Sequence, residues 1–291
     1  MPTTGKAIDD ATEDLVDLAG FAFQSAPSTC DPADGCMAYH RAWSLVRQLE
    51  SNARPPEGGA FFTRELRKLA SSGGTVRVLV SGAADSGLPS HVARAYAGTG
   101  QKFTLVVVDR CRTPLAQIER YAASIGAEIE TTRATLDQID IEPVDAILAH
   151  SFLSFIPTKE LPALFAAWSR SLRQGGVVLM SQRMQPEDQP YTPRNPAAHL
   201  AKRREDLIAT LAKGNPFPLS QDQILQAAEG LWLNPMGGVP AYEQVIRQVG
   251  DAVGLRLESI DLDEGKTSLS PFVMKTDAVR RARAELVMRK L

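Results

Sequence analysis

Cysteine is scarce in this chain, with three in 291 residues. So small and odd a number excludes a disulfide-stapled fold, and Cys30, Cys36 and Cys111 read as reduced thiols. Cys30 and Cys36 lack the further Cys or His neighbours that zinc needs, so no metal site is expected. Long apolar runs are missing too. The longest, such as Leu105–Val108 and Ala146–Ala149, have the length of buried strands, against the roughly 18 residues that cross a bilayer. Neither sign of charge is in excess: 32 Lys and Arg face 34 Asp and Glu, a formal net charge of −2. That balance gives no electrostatic ground for a nucleic-acid or anionic-membrane partner. Asp9, Asp10, Glu13 and Asp14 argue against a secretory or mitochondrial leader, and a soluble cytoplasmic protein is expected.

What is present is an alternation. Residues 1–64 are helical in pattern, with Ala42, Leu45, Val46 and Leu49 on one face of a helix from about Met37 to Glu50. A second helix carries Phe62, Leu66 and Leu69 and ends at the Ser71–Gly74 breaker. From Thr75 short apolar runs alternate with helices. Strands are expected at Val76–Ser81, Phe103–Asp109, Glu128–Thr132, Val144–Ala149 and Gly176–Ser181. Helices are expected at Ser90–Gly98, Pro114–Ile125 and Leu161–Leu172. Such alternation means a parallel sheet covered on both faces. Residues 184–238 are rich in proline, with helices at Ala197–Lys213 and Ser220–Leu231, and read as an inserted cap. A helix at Ala241–Val253 and strands at Leu255–Asp261 and Leu269–Met274 follow, and a basic helix closes the chain. The organisation is therefore an N-terminal helical lid (1–74), a core (75–183 and 239–276), the cap, and a C-terminal helix (277–291).

Ligands of an open parallel sheet bind beyond the strand C-termini, where strand order reverses. Four segments qualify. In the turn after the first strand, Ser81, Gly82, Ala83, Ala84 and Gly87 leave the backbone open to a ligand, or make a tight turn with none. Asp109, closing the second strand, is placed to accept from both hydroxyls of a ribose; a surface carboxylate paired with Arg110 or Arg112 is the alternative. An acid there disfavours the 2′-phosphate of NADP. Thr135 and Leu136, in the Arg133–Leu136 segment after the third strand, are candidates to line an adenine pocket, with ordinary loop residues as the alternative. Ala149, His150 and Ser151 leave the fourth strand, His150 as a base or as a positioning residue.

Together these segments resemble the class I S-adenosylmethionine-dependent methyltransferases. The residues that carry the resemblance are Val78–Gly87, Asp109, Val144–Pro157, Leu172–Met180 and the late pair of strands. Val80 stands where the family has an acid, and Ala84 and Ser86 where it has glycines. The resemblance implies an α/β fold, a Rossmann-like seven-stranded sheet, mostly parallel with the last strand antiparallel. It also implies S-adenosylmethionine as cofactor, with S-adenosylhomocysteine as product, and Asp109 on the ribose. Arg110 would then stack on the adenine, and the methionyl amino group would rest on backbone carbonyls near Gly82 and Ala149.

The implied reaction is in-line methyl transfer to an O, N or S atom, with no metal. The acceptor is expected to be a small molecule, and homo-oligomerisation is left open. Tyr39, His40 and Trp43 on the lid helix, with Phe155 and Tyr191, are candidates to close over the substrate, or else to pack the lid onto the core. Two other readings compete: a methyltransferase-like scaffold without catalysis, and a NAD-dependent oxidoreductase. The second lacks a Tyr-x-x-x-Lys pair after the fourth strand.

Overall fold

A computed structural model describes residues 11–51, 59–70, 74–135, 138–185, 200–233, 239, 241–263 and 282–291. Five apolar runs form the strands β1 (Thr75–Ser81), β2 (Lys102–Asp109), β3 (Glu128–Arg133), β4 (Val144–His150) and β5 (Leu172–Met184). Side chains alternate across a strand, so each run feeds two cores. Leu79, Val106, Val108, Ile147, Ala149, Val178 and Met180 enter one of them. Val78, Val80, Leu105, Val107, Ala146, Leu148 and Leu179 enter the other. Helices close both faces. On the first lie α6 (Leu161–Ser171) and α9 (Glu243–Ala252), contributing Leu164, Phe165, Trp168 and Ile246. On the second lie α3 (Gly59–Arg67), α4 (Gly87–Tyr96) and α5 (Arg112–Ile125). Phe61, Phe62 and Leu66 of α3 are buried in that second core, so α3 is part of the core and not of a detachable lid.

The sheet order is β3-β2-β1-β4-β5-β7-β6, where β6 is Leu255–Asp263 and β7 is Ala282–Lys290. β7 runs antiparallel between β5 and β6, and the other six strands are parallel. The antiparallel seventh strand is as expected, but its place in the sequence is not. Residues 282–290, expected as part of a C-terminal helix, are this strand. Ala284, Leu286 and Met288 repeat every second residue and drop into the first core. The Ala, Arg and Glu content suits a helix, and burial between two strands overrides it. The segment Leu269–Met274, expected as a strand, lies outside the described residues.

The remaining helices form a third apolar cluster. α1 (Ala11–Thr29) and α2 (Met37–Ser51) come from the N-terminal segment, and α7 (Leu200–Lys213) and α8 (Gln221–Leu233) from the cap. Phe23, Leu45, Val46 and Leu49 pack with Leu207, Leu211, Ile224 and Trp232. Lid and cap thus share one core. No helix among the described residues is long and apolar enough to cross a membrane.

Candidate functional site

Strand order reverses between β1 and β4, so the crevice beyond their carboxyl ends is the place to build from. Gly82 leaves β1 with φ +71°, its N–H still bonded to the Val108 carbonyl at 3.2 Å. That left-handed conformation suits glycine, and so does the space: an added Cβ would lie 2.2 Å from the Phe152 ring. Gly82→Ala is expected to cost about 1–2 kcal/mol for the backbone alone, with the clash on top. The urea midpoint measures it, and Phe152→Ala should relieve part of the loss in the double variant. Purely additive losses would show that the ring does not press on this position.

Asp109 ties two loops together. Its Oδ2 accepts the Ala83 N–H at 2.9 Å and its Oδ1 the Cys111 N–H at 2.7 Å. Burial pushes this carboxyl up to about 6, against the pull of those two N–H groups and of Arg110. The side chain thus faces into the loops. Each oxygen retains a second lone pair.

A further carboxylate sits in the loop after β1. Asp85 is buried; its Oδ1 accepts the Gly87 N–H at 2.7 Å, and its Oδ2 takes the Arg47 Nε at 2.5 Å. Arg47 belongs to α2, so this ion pair joins the helical layer to the loop after β1. Tyr39, two turns earlier on the same helix, has its phenol held far above its ordinary range. Burial is the main cause, and the charges of Asp85 and Asp109 add to it. Tyr39 stacks on Trp43 at 5.3 Å and meets the edge of Phe155 at 5.6 Å. Both lid aromatics are half-buried and also pack on the lid–cap core, the packing role among the two expected for them. His40 is buried, its pKa lowered to about 4 by desolvation and by Arg110, and its Nδ1 has no hydrogen-bond partner among the described residues.

The fourth-strand exit is held from β5. Ser151 adopts φ 51°, an unusual conformation for a residue with a Cβ, and its N–H bonds the Ser181 carbonyl at 2.7 Å. Buried Gln182 then accepts the Leu153 N–H and donates to Ser154 Oγ, fixing the turn that presents Phe152 and Phe155. His150 Nε2 accepts from Arg283 Nη1 at 3.0 Å, and the same guanidinium nitrogen reaches Ser181 Oγ at 3.0 Å. Burial, then Arg283, holds the imidazole pKa well below 6.5. With Nε2 accepting, the ring proton sits on Nδ1, so His150 cannot take a proton there without displacing Arg283. A base role at Nε2 would require Arg283 to move off the ring, whereas a positioning role leaves this bond in place.

No family model and no curated protein sequence matches the chain. Solved structures do match its fold. A protein assigned as a sarcosine dimethylglycine methyltransferase from Galdieria sulphuraria aligns with a TM-score of 0.52 at 11% identity, covering 80% of this chain and 84% of its own. A candidate exported protein from Bordetella parapertussis aligns at 0.52 and 14% identity, over 100% of this chain and 99% of its own. TehB from Haemophilus influenzae aligns at 0.50 and 13% identity, over 84% and 67%. The fold is that of the class I methyltransferases.

Within the methyltransferase fold, the expected residues divide. Gly82, Ala83, Asp109, Tyr39, Trp43 and Phe155 gather around the crevice, with half-buried Ala84 and Ser151. Three others sit in the interior: Gly87 is buried, the Ala149 methyl enters the first core, and the Ser81 hydroxyl accepts from Trp168 Nε1 at 2.8 Å. Arg110 is exposed and turned to Asp34, with Nη2 3.4 Å from the Asp34 carbonyl and Nη1 3.8 Å from its carboxylate. Thr135 is exposed, and Leu136 and Tyr191 lie outside the described residues. Asp85, Arg47, Phe152 and Gln182 were not anticipated. Asp85 and Phe152 lie in segments that the sequence singled out; the other two depend on contacts that sequence spacing does not reveal.

One further expectation is corrected. Cys111, 75 positions from Cys36, completes a buried cluster of the three thiols, so Cys30 and Cys36 do have a further cysteine partner. None of the three is in a disulfide.

Proposed function

We propose that the chain is an S-adenosylmethionine-dependent methyltransferase acting on an O, N or S atom of a small molecule. The observation that carries this is Asp109, a carboxylate at the end of β2 that anchors the loops of β1 and β2 and keeps two lone pairs for a diol. The crevice suits the cofactor's other parts as well. His40 Nδ1 is a buried polar atom waiting for a partner, and the Tyr39, Trp43 and Phe155 rings offer faces to a sulfonium. When bound, the sulfonium supplies an electrophilic methyl group.

The chain's own residues orient and enclose. Asp109 holds the sugar, the aromatic lid excludes water, and Tyr39, kept protonated, donates a hydrogen bond without acting as a base. Alignment of this kind supplies up to about 7–11 kcal/mol of barrier reduction with no nucleophilic side chain. A near-neutral chain with a joined lid and cap supports a small acceptor over a polymer, and three unlinked thiols support a reducing, cytoplasmic setting.

Calorimetry with S-adenosylmethionine, S-adenosylhomocysteine and NAD tests the assignment. The first two should bind and NAD should not. Phe152 favours a second reading, a scaffold without cofactor, because its ring already lies on Gly82. Absence of any S-adenosylhomocysteine binding would decide for that reading.

The pH profile is a separate test. The ionised carboxylate accepts from both hydroxyls of a diol, whereas protonation turns one of its oxygens into a donor, and burial pushes the Asp109 carboxyl of the free protein up to about 6. Affinity should be level above that pH and fall by about tenfold per unit below it. A profile level down to pH 4.5 would remove Asp109 from the ribose contact.

A further inference from the structure

We infer that Cys30, Cys36 and Cys111 form a three-thiolate site for a soft d10 cation, with Cu(I) as its natural occupant. Cys111 Sγ lies 3.5 Å from Cys30 Sγ and 3.7 Å from Cys36 Sγ, and all three sulfurs lie within 4.8 Å of one another. Three sulfurs bound at about 2.3 Å around one ion stand about 4 Å apart, so only small adjustments bring them to bonding distance. All three residues are buried.

The ligands come from three separate places. Cys30 follows α1, Cys36 immediately precedes α2, and Cys111 caps the N-terminus of α5. Thiolates bound to a monovalent ion carry a net negative charge. Two helix N-termini face that charge: Cys111 at α5, and Cys36, whose carbonyl accepts the His40 N–H in the first turn of α2. The threonine Thr113 adds a hydroxyl 3.1 Å from Cys30 Sγ.

As free thiols Cys30 and Cys36 are poorly reactive. Burial pushes Cys30 up to about 11 and Cys36 higher still. An entering cation displaces the three protons to solvent and forms three metal–sulfur bonds, with no change of oxidation state on either side. Zinc in structural sites takes four ligands, and among the described residues no fourth Cys, His, Asp or Glu joins the cluster. Soft thiolates favour Cu(I) and zinc alike, and the missing fourth ligand tells against zinc here.

The site is independent of the methyltransferase reading, because its readout is metal and not turnover. The full chain, reduced and kept free of oxygen, is titrated with Cu(I) held by a competing chelator, and in parallel with Zn(II). The expected result is one Cu(I) per chain in native mass spectrometry, with a thiolate-to-copper absorption in the ultraviolet. X-ray absorption should show three sulfurs at about 2.3 Å. Cys36→Ser and Cys111→Ser should each weaken binding by more than the roughly 10–100-fold that outer-shell changes cost. The stoichiometry of the unaltered chain needs no variant, so a misfolded variant does not rescue the idea. Failure to hold Cu(I) against the chelator overturns it. So do undiminished binding in both variants, preference for Zn(II), or a disulfide between two of these thiols in the anaerobic protein.

Discussion

Asp109→Ala should weaken S-adenosylmethionine binding by roughly 10²–10⁴-fold. Two hydrogen bonds to a charged acceptor contribute about 1.5–3 kcal/mol each, and every 1.4 kcal/mol is a factor of ten. The same carboxylate also satisfies the Ala83 and Cys111 N–H groups, so alanine loosens both loops. Asp109→Asn separates the two effects. Its amide oxygen retains one of the backbone bonds while the negative charge is gone, so the fold should hold better than in the alanine variant as affinity still drops. Calorimetry beside urea unfolding measures both quantities. Wild-type affinity in either variant would take the ribose contact away from this residue and leave the functional assignment without its principal support.

Arg47→Met should cost about 3–5 kcal/mol of folding stability, the usual penalty for leaving one member of a buried ion pair uncompensated. Asp85 is 6% exposed and Arg47 11%, so water cannot take over the missing charge. The remedy follows from the geometry. In Arg47→Met/Asp85→Asn no charge is stranded, and an asparagine oxygen can still accept the Gly87 N–H that starts α4. The double variant should therefore regain most of the loss. Urea unfolding reads it directly, and a single-variant loss below about 1 kcal/mol would mean that the latch between α2 and the β1 loop is solvated.

The parallel part of the sheet was legible because burial on both faces demands uninterrupted apolar runs, and the runs ending at Ser81, Asp109 and His150 are strands within a residue or two of their expected bounds. The end of the chain was not. Residues 282–290 carry helix-forming residues, and their alternation acquires meaning only when β5 and β6 lie on either side. The site divides in the same way. Gly82 and Asp109 sit at positions dictated by local topology. The Arg47–Asp85 pair, the Arg283–His150 bond and the approach of Cys111 to Cys36 and Cys30 join residues 38, 133 and 75 or more apart, with no spacing rule to announce them. His150 illustrates the cost: a histidine leaving a central strand suggests proton transfer until an arginine from the opposite end of the chain is found on its ring.

The apolar seam between α1–α2 and α7–α8 bears on how this helical layer could be re-engineered. Two stretches of chain more than a hundred residues apart form a single roof, each supplying half of the other's hydrophobic lining. A chimera that exchanged one stretch for that of a homologue would set mismatched halves against each other and expose Leu45, Leu207 or Ile224 to water. Both stretches must be transplanted together for a new roof to close.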